Sequence, residues 1–556
     1  MASLLLSRRD LDFLLFEWLD VQGEHGRETY DAVLDLAEQV ATRQFASHNR
    51  RNDLEEPQFV DGRVVLHEEV QPALKAFAET GFIGAGLPES VGGMALPATI
   101  CQAVMGWFHA ANVGTAAYPL LTVANANLLL HHASQELIDR YVPAMVEGRC
   151  FGTMCLSEPQ AGSSLADITT KAERHDDGTF RVTGNKMWIS AGEHDLADNI
   201  VHLVLAKVPG SPPGSKGISL FLVPKVLADG TRNGVVLTGL NHKMGFRGTV
   251  NTVLSFEGAT GWLVGEENQG LPAMFHMMNE ARIGVGLGAT ALGYTGYLHS
   301  LDYARSRPQG RTAKDPSSPQ VPIIEHPDVR RMLLAQKAYA EGALALNLYC
   351  GQLVDRGEEL LLGMLTPIAK SWPSQWCLEG NSLAIQVLGG YGYTREYPVE
   401  QFYRDNRLNP IHEGTHGIQA LDLLGRKVTQ YGGAGLTALV EAIERTCAAA
   451  PEPYAGQLRG TAARIVEVTQ KVWGAGDVAL ALAQATPYLE AVGHAVIAWM
   501  WLEQLNAVAG KDGDFYEGKR RAAQYFFAWE LPKTGPLLDL VASLDRTTLD
   551  MQPRYF

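Results

Sequence analysis

The chain has 556 residues, 46% of them hydrophobic and 19% charged, with a formal net charge of −15. This length is too great for one ordinary core and predicts three or four folding units, and the composition excludes a disordered chain. The acidic balance works against a broad nucleic-acid or anionic-membrane surface, since both need clustered Lys and Arg, although a local basic pocket for a phosphate remains open.

In chain order, the N-terminal run from Leu4 to Leu6 gives way to Arg8, Arg9 and Asp10, which fits neither a secretory h-region nor a transit peptide. Residues 28–150 read as mostly helical, with apolar residues three and four apart over 30–45 and 68–80. Gly81, Gly84, Gly86, Pro88, Gly92 and Gly93 mark a loop, and Pro143 and Gly148 close the region. Residues 151–258 change texture: β-branched, aromatic and apolar runs at 179–190, 199–207, 217–223 and 249–256 predict strands. Helix returns over 274–306, 327–354 and 361–388, interrupted by a polar, Pro-rich connector at 312–322. The small residues of 284–296 predict close helix approach, and a further helical unit with Trp473, Trp499 and Trp501 runs to about residue 545.

The expected fold is mainly α with a β insert. It divides into an N-terminal helical domain (1–150), a middle β-barrel-like domain (151–262), a C-terminal helical bundle (263–430) and an extra C-terminal helical domain (431–556). The order lacks the βαβ alternation of a Rossmann sheet. The six cysteines (101, 150, 155, 350, 377 and 447) form no CxxC pair and read as reduced thiols. The apolar stretch 491–502 falls short of the roughly 20 residues needed to span a bilayer, so no stable membrane insertion and a soluble, cytoplasmic protein are expected.

Four motifs could carry chemistry. His412-Glu-Gly-Thr-His416 matches the HExxH of zinc proteases, but Gly414 sits where that helix must be regular and residues 417–440 hold no glutamate as third ligand. Zinc is the weaker reading, and no metal is expected. Ser157-Glu-Pro-Gln-Ala-Gly-Ser163 offers hydroxyls and backbone N–H groups to a heteroaromatic edge or a phosphate, and by itself reads equally as a capped β-turn. Trp188-Ile189-Ser190 places a ring and a hydroxyl at a strand end, where a core tryptophan is the plain alternative. Gln386-Val-Leu-Gly389-Gly390 permits close backbone approach, or simply caps a helix.

The ordered set Ser157-Glu-Pro…Gly162-Ser163, Gly184-Asn-Lys-Met-Trp-Ile-Ser190, Gly389-Gly390-Tyr-Gly392, Tyr397-Pro398…Arg404-Asp405 and Glu413-Gly-Thr415 resembles the acyl-CoA dehydrogenase family over roughly residues 74–427. The resemblance implies FAD as cofactor and an acyl-CoA thioester as substrate, oxidised at its α,β bond to the trans-2-enoyl-CoA with electrons passed to an electron-transfer flavoprotein. It implies that Cys155, Ser157, Gly162, Ser163, Trp188, Ile189 and Ser190 line the flavin, Ser157 and Ser190 standing where threonine is more usual. It further implies that Ser163, Asn279 and Arg282 meet the CoA moiety, Asn279 replacing the usual aspartate. Arg307 and Gln386, Gly389 and Gly390 correspond to groups that reach the FAD of a neighbouring subunit, so at least a dimer is implied. Arg307 sits in a segment one residue shorter than usual. Thr415 matches a flavin-phosphate contact, and Gly417 stands where glutamine is common.

Glu413, with Gly414 beside the substrate, aligns with the catalytic base that removes the thioester α-proton; outside this context it would read as a solvated helix-start carboxylate. His412 stands where tyrosine often sits, and lining the pocket is the favoured reading over tuning Glu413. The segments 9–21, 434–556 and 529–535 resemble an enlarged bacterial subgroup that includes 3-methylmercaptopropionyl-CoA dehydrogenases and fatty-acyl-CoA dehydrogenases. A saturated fatty acyl-CoA is placed ahead of the methylthio substrate. An O₂-using acyl-CoA oxidase is the runner-up, and a DNA-associated alkylation-response flavoprotein is disfavoured by the overall acidity.

Overall fold

A computed structural model describes residues 3–312 and 316–556; residues 1–2, and residues 313–315 of the predicted connector, lie outside the described residues. Helix holds 62% of the chain. The strands are a short hairpin, β1 (Gln58–Val60) with β2 (Arg63–Val65), and a seven-stranded sheet between Cys150 and Val264. A mainly α protein with a β insert is therefore what the chain forms. By its contacts it divides into two compact units, one comprising Gly23–Pro97 and Trp107–Gly284, the other Met1–Gln22, Ala98–Gly106 and Val285–Phe556.

The first unit is organised by its sheet. The strands are β3 (Cys150–Cys155), β4 (Lys171–Arg174), β5 (Phe180–Ser190), β6 (Asn199–Lys207), β7 (Ile218–Pro224), β8 (Val235–Leu240) and β9 (Asn251–Val264). Pairing runs β6–β4–β5–β9–β7 and returns to β6, with β4 meeting β6 at one residue pair, Lys171↔Lys207, while β3 adds in parallel to β6 and β8 antiparallel to β9. The predicted strand 199–207 is found with those bounds, and 249–256 continues eight residues further. Strands β4 and β8 were not foreseen, since they are short and their sequences alternate weakly.

Both faces of β6 and β7 are buried, which explains their continuous apolar runs. Side chains alternate between two cores: Val201, Leu203, Leu205, Leu220 and Leu222 pack with the helical residues Leu128, Leu129, Val142 and Met145. Val204, Ala206, Phe221 and Val223 instead pack with Val182, Ile189, Leu254 and Phe256 inside the ring. The Ala98–His132 helix is long and apolar enough to cross a membrane by length and composition, exceeding the 491–502 run, and 72% of its most apolar window is buried within the chain.

In the second unit, the part of the Gly270–Ser306 helix beyond Gly284 approaches the Glu359–Leu388 helix closely. A Cβ on Gly286 would stand 1.9 Å from the Ala369 carbonyl oxygen, and one on Gly296 2.5 Å from Asn381 Nδ2. This is the role of the small-residue stripe. Six α-helices from Ala434 to Ser543 form the C-terminal region, with the Ala485–Ala507 helix buried nearly all round. Trp501 Nε1 donates to the Ala338 carbonyl at 3.1 Å, and buried Lys519 pairs with Glu341 at 2.9 Å and with Asp10. The first 22 residues thus belong with the C-terminal helices.

The loop leaving β3 is anchored by a buried ion pair. Glu158 receives Lys186 Nζ at 2.9 Å, together with the backbone N–H and hydroxyl of Thr169 and of Thr170. Burial pushes the Glu158 carboxyl up, but the Lys186 charge and these donors outweigh it and hold the group down at about 2, against 4.5 ordinarily. A carboxyl lowered in the folded state contributes stability that is complete above about pH 4.5 and lost as pH falls toward 2. Lys186→Met, which strands that carboxylate, is expected to destabilise by about 3–5 kcal/mol at pH 7. Denaturant unfolding should show the deficit shrinking as pH is lowered, as Glu158 of the variant takes up a proton while that of the wild type stays ionised down to about pH 2.

Candidate active site

Glu413 lies in a turn, not in a helix. The Val399–Asn406 helix ends in successive turns, and the next helix, His416–Asp422, starts only after Thr415, whose Oγ accepts the Ile418 N–H at 3.3 Å as an N-cap. Glu413 and Gly414 both adopt left-handed backbone, with φ of 52° and 89°. Such a conformation in a non-glycine residue costs of order 1–3 kcal/mol and persists only where the surroundings impose it. Here they do so on both carbonyls: Gln419 Nε2 donates to the Glu413 oxygen at 3.0 Å, and Lys370 Nζ donates to the Gly414 oxygen at 2.6 Å. Lys370 and Gln419 are both fully buried.

This geometry also decides the HExxH match. Residues 412–415 precede the helix, so the one-turn spacing of imidazoles that the zinc motif needs is not formed. His412 Nε2 meets Asn409 Oδ1 at 3.0 Å, whereas His416 Nδ1 meets Ser371 Oγ. Burial, then the Lys370 and Arg407 charges, lower His416 to about 4, so it is neutral at physiological pH.

Elsewhere in the same unit, Gln386, Gly389 and Gly390 are exposed at the end of the Glu359–Leu388 helix, with Gly389 at φ 59° and open space where a Cβ would stand on either glycine. Arg307 lies 5.6 Å above the exposed Tyr391 ring, so the two segments that the resemblance assigned to a neighbouring flavin stand together.

In the β unit, Trp188 is not a core residue. It is 57% exposed, at φ 66°, where a register shift between Lys186 and Ile189 bulges β5. The Met187 N–H donates to the Ser157 carbonyl at 3.0 Å, which places the Ser157 loop beside that bulge. Ser157 and Ser190 are half-buried, Ser163 and Gly162 are exposed, and Asn251 Nδ2 donates to Ser190 Oγ at 3.2 Å. Two predicted contacts are turned away: the Cys155 thiol is buried beside Thr153 and His202 and pushed up to about 12 by burial, and the Ile189 side chain lies in the ring core. Each offers only its backbone. Arg282 is 3% exposed and reaches Asn279 Oδ1 at 3.5 Å.

Four supporting residues escaped the sequence reading: Glu158, Lys186, Lys370 and Gln419. Lys186 stands in phase with the inward Phe180 and Val182, and Lys370 is a lone charge within an apolar helical stretch. Either pattern marks a buried cation that needs an acceptor.

Residues 27–149, 153–259 and 268–428 match the N-terminal, middle and C-terminal domains of acyl-CoA dehydrogenases, and 439–552 match an acetyl-CoA dehydrogenase C-terminal-like domain. The chain belongs to the acyl-CoA dehydrogenase family. It is 38% identical over 504 residues to the 3-methylmercaptopropionyl-CoA dehydrogenase of Ruegeria pomeroyi, covering 85% of each chain. It is 32% identical to the broad-specificity linear acyl-CoA dehydrogenase FadE5 of Mycobacterium tuberculosis, covering 97% of this chain and 95% of that protein. An acyl-CoA dehydrogenase from Bacillus anthracis, solved with FAD, shares the fold with a TM-score of 0.80 at 20% identity, covering 98% of this chain and 92% of that one.

This acyl-CoA dehydrogenase is thus an oxidoreductase of the CH–CH class that uses FAD. Within the β unit, an exposed indole and three serine hydroxyls offer suitable partners for the flat ring edge of that cofactor. Lys370→Met removes a charged donor from the half-buried Gly414 carbonyl and is expected to cost about 1–3 kcal/mol of stability. Thermal unfolding measures that loss, and turnover in the folded variant should fall as the Glu413 turn loosens.

Proposed function

We propose that the protein desaturates a linear acyl-CoA thioester at its α,β bond, with Glu413 as the general base, yielding the trans-2-enoyl-CoA. The observation that carries this reading is the left-handed turn at Glu413, strained in itself and clamped by Lys370 and Gln419. A carboxylate at such a turn has its backbone position imposed by the fold, as a base aimed at one carbon requires. Bound FAD supplies the acceptor for the β-hydrogen and its two electrons.

The protein's own part is to bind, orient and deprotonate. The Glu413 carboxylate takes the α-proton, and the Glu413 backbone N–H donates to the thioester carbonyl oxygen as negative charge gathers there. A donor of this kind is worth roughly 3–4 kcal/mol in the transition state. Ser163, Asn279 and Arg282 hold the CoA portion. Ser157, Trp188, Ser190 and Thr415 hold the cofactor, the backbone at Cys155, Gly162 and Ile189 completing the cradle. Arg307 and the Gln386–Gly389–Gly390 segment serve the cofactor of a second subunit in a homo-oligomer, and their outward exposure supports that assignment. Electrons leave to an electron-transfer flavoprotein, and the enzyme works in the cytoplasm.

A saturated linear fatty acyl-CoA is the substrate we favour, in keeping with FadE5 over nearly the whole chain. The 38% identical relative supports 3-methylmercaptopropionyl-CoA as a second reading. Anaerobic bleaching of the flavin by a panel of acyl-CoAs that includes 3-methylmercaptopropionyl-CoA distinguishes the two, and bleaching by none would overturn the assignment. Glu413→Gln is expected to keep FAD and lose bleaching by ~10²-fold to 10⁴-fold or more, the scale of a positioned general base. Rapid reoxidation by O₂ alone would instead indicate an oxidase.

A further inference from the structure

Resting on the reading of Glu413 as the base, we propose that His412 is a positioning residue for it, held as an Nε2–H donor by a one-directional chain of buried asparagine amides. The chain begins on the helical segment beyond Gly284, where the carbonyls of Leu292 and Ala289 can only accept. Asn381 Nδ2 donates to the Leu292 oxygen at 2.9 Å, which turns Asn381 Oδ1 the other way. Asn406 Nδ2 donates both to the Ala289 oxygen at 3.1 Å and to Asn381 Oδ1 at 2.7 Å. Asn406 Oδ1 must then accept, and it does so from Asn409 Nδ2 at 2.9 Å.

Asn409 is thereby left with only its carbonyl oxygen toward His412 Nε2, at 3.0 Å. An amide oxygen has no proton to give, so the imidazole nitrogen facing it carries one. The direction of each amide follows from two backbone carbonyls at the far end, and Asn381, Asn406 and Asn409 are all buried, so no solvent competes for these bonds. His412 keeps its Nε2 proton whether neutral or charged, and any proton it gains or loses is at Nδ1.

The consequence falls on the next residue. Glu413 enters left-handed backbone directly after His412, and Gln419 and Lys370 hold the carbonyls at and after Glu413. The amide chain fixes the entry side, tying the His412 ring through Asn409, Asn406 and Asn381 to two long helices. Any change that frees the ring loosens the approach to the base and lets the Glu413 carboxylate shift, while leaving the CoA-binding residues in place.

Two measurements on the full-length holoenzyme test this. In ¹⁵N-histidine-labelled protein, with His412 assigned by its loss in His412→Gln, we expect Nε2 to carry the proton and Nδ1 to be the bare or titrating nitrogen. A proton on Nδ1 with Nε2 bare would overturn the proposal. In rapid-mixing bleaching with an accepted acyl-CoA, His412→Phe and Asn409→Leu are expected to lose ~10-fold to 100-fold in rate with half-saturation changed less than ~3-fold, the pattern of a displaced reacting group. His412→Gln, which presents an N–H at the same reach, should recover most of the rate. Wild-type rates in His412→Phe would also overturn the proposal. Failure of the wild-type enzyme to bleach with any acyl-CoA would instead overturn the reading of Glu413, with the imidazole spectrum still deciding the tautomer.

Discussion

The site depends on one buried cation. Lys370 has its ammonium group inside the helical core, where a charge without an acceptor is costly, and it is spent on the carbonyl of Gly414 at 2.6 Å. That bond keeps two successive residues left-handed, so the chain turns at Glu413 and begins its next helix only at His416. A regular helix through this segment would satisfy the backbone locally and carry the glutamate on its flank. The turn exists because buried side chains from elsewhere in the unit supply the hydrogen bonds that the helix would have made, at Gln419 as well as at Lys370.

The β unit uses the same device. Lys186 enters the interior on a strand whose neighbours in phase are Phe180 and Val182, and it is tolerated because Glu158 meets it there. The ion pair fixes the loop after β3, while the bulge that follows Lys186 turns Trp188 outward. In both units an internal charge holds irregular backbone, and the irregular backbone carries a candidate site residue, Glu413 in one and Trp188 in the other. Regular elements supply the frame, from the two-sided β6 and β7 to the close-packed helices around Gly286.

Much of the frame was legible in the sequence because it follows from periodicity. The strand at 199–207 and the helices of the C-terminal half announce themselves by apolar spacing. The short strands β4 and β8 did not, since four to six residues carry too little alternation. The 98–132 helix was also understated, as it is apolar on every side and has no polar stripe to mark its period. The candidate site residues Glu413, Thr415, Trp188 and the serines stood out only as an ordered set of motifs. What the chain order could not convey is direction: Cys155 and Ile189 sit in the right segments with their side chains in the core, and Trp188, which resembles a core residue, stands exposed. The amide chain behind His412 was invisible for a related reason. Asparagines at 381, 406 and 409 share no spacing that predicts contact, and only the fold assembles them.

The central claim is that Glu413 removes the α-proton of a thioester. The most direct measurement is the rate of anaerobic flavin bleaching by an accepted acyl-CoA deuterated at its α-carbon. The account predicts a several-fold slowing relative to the unlabelled thioester. Equal rates for the two, with slowing only on β-deuteration, would show that the α-proton is not in transit in the rate-determining step and would contradict the role given to Glu413.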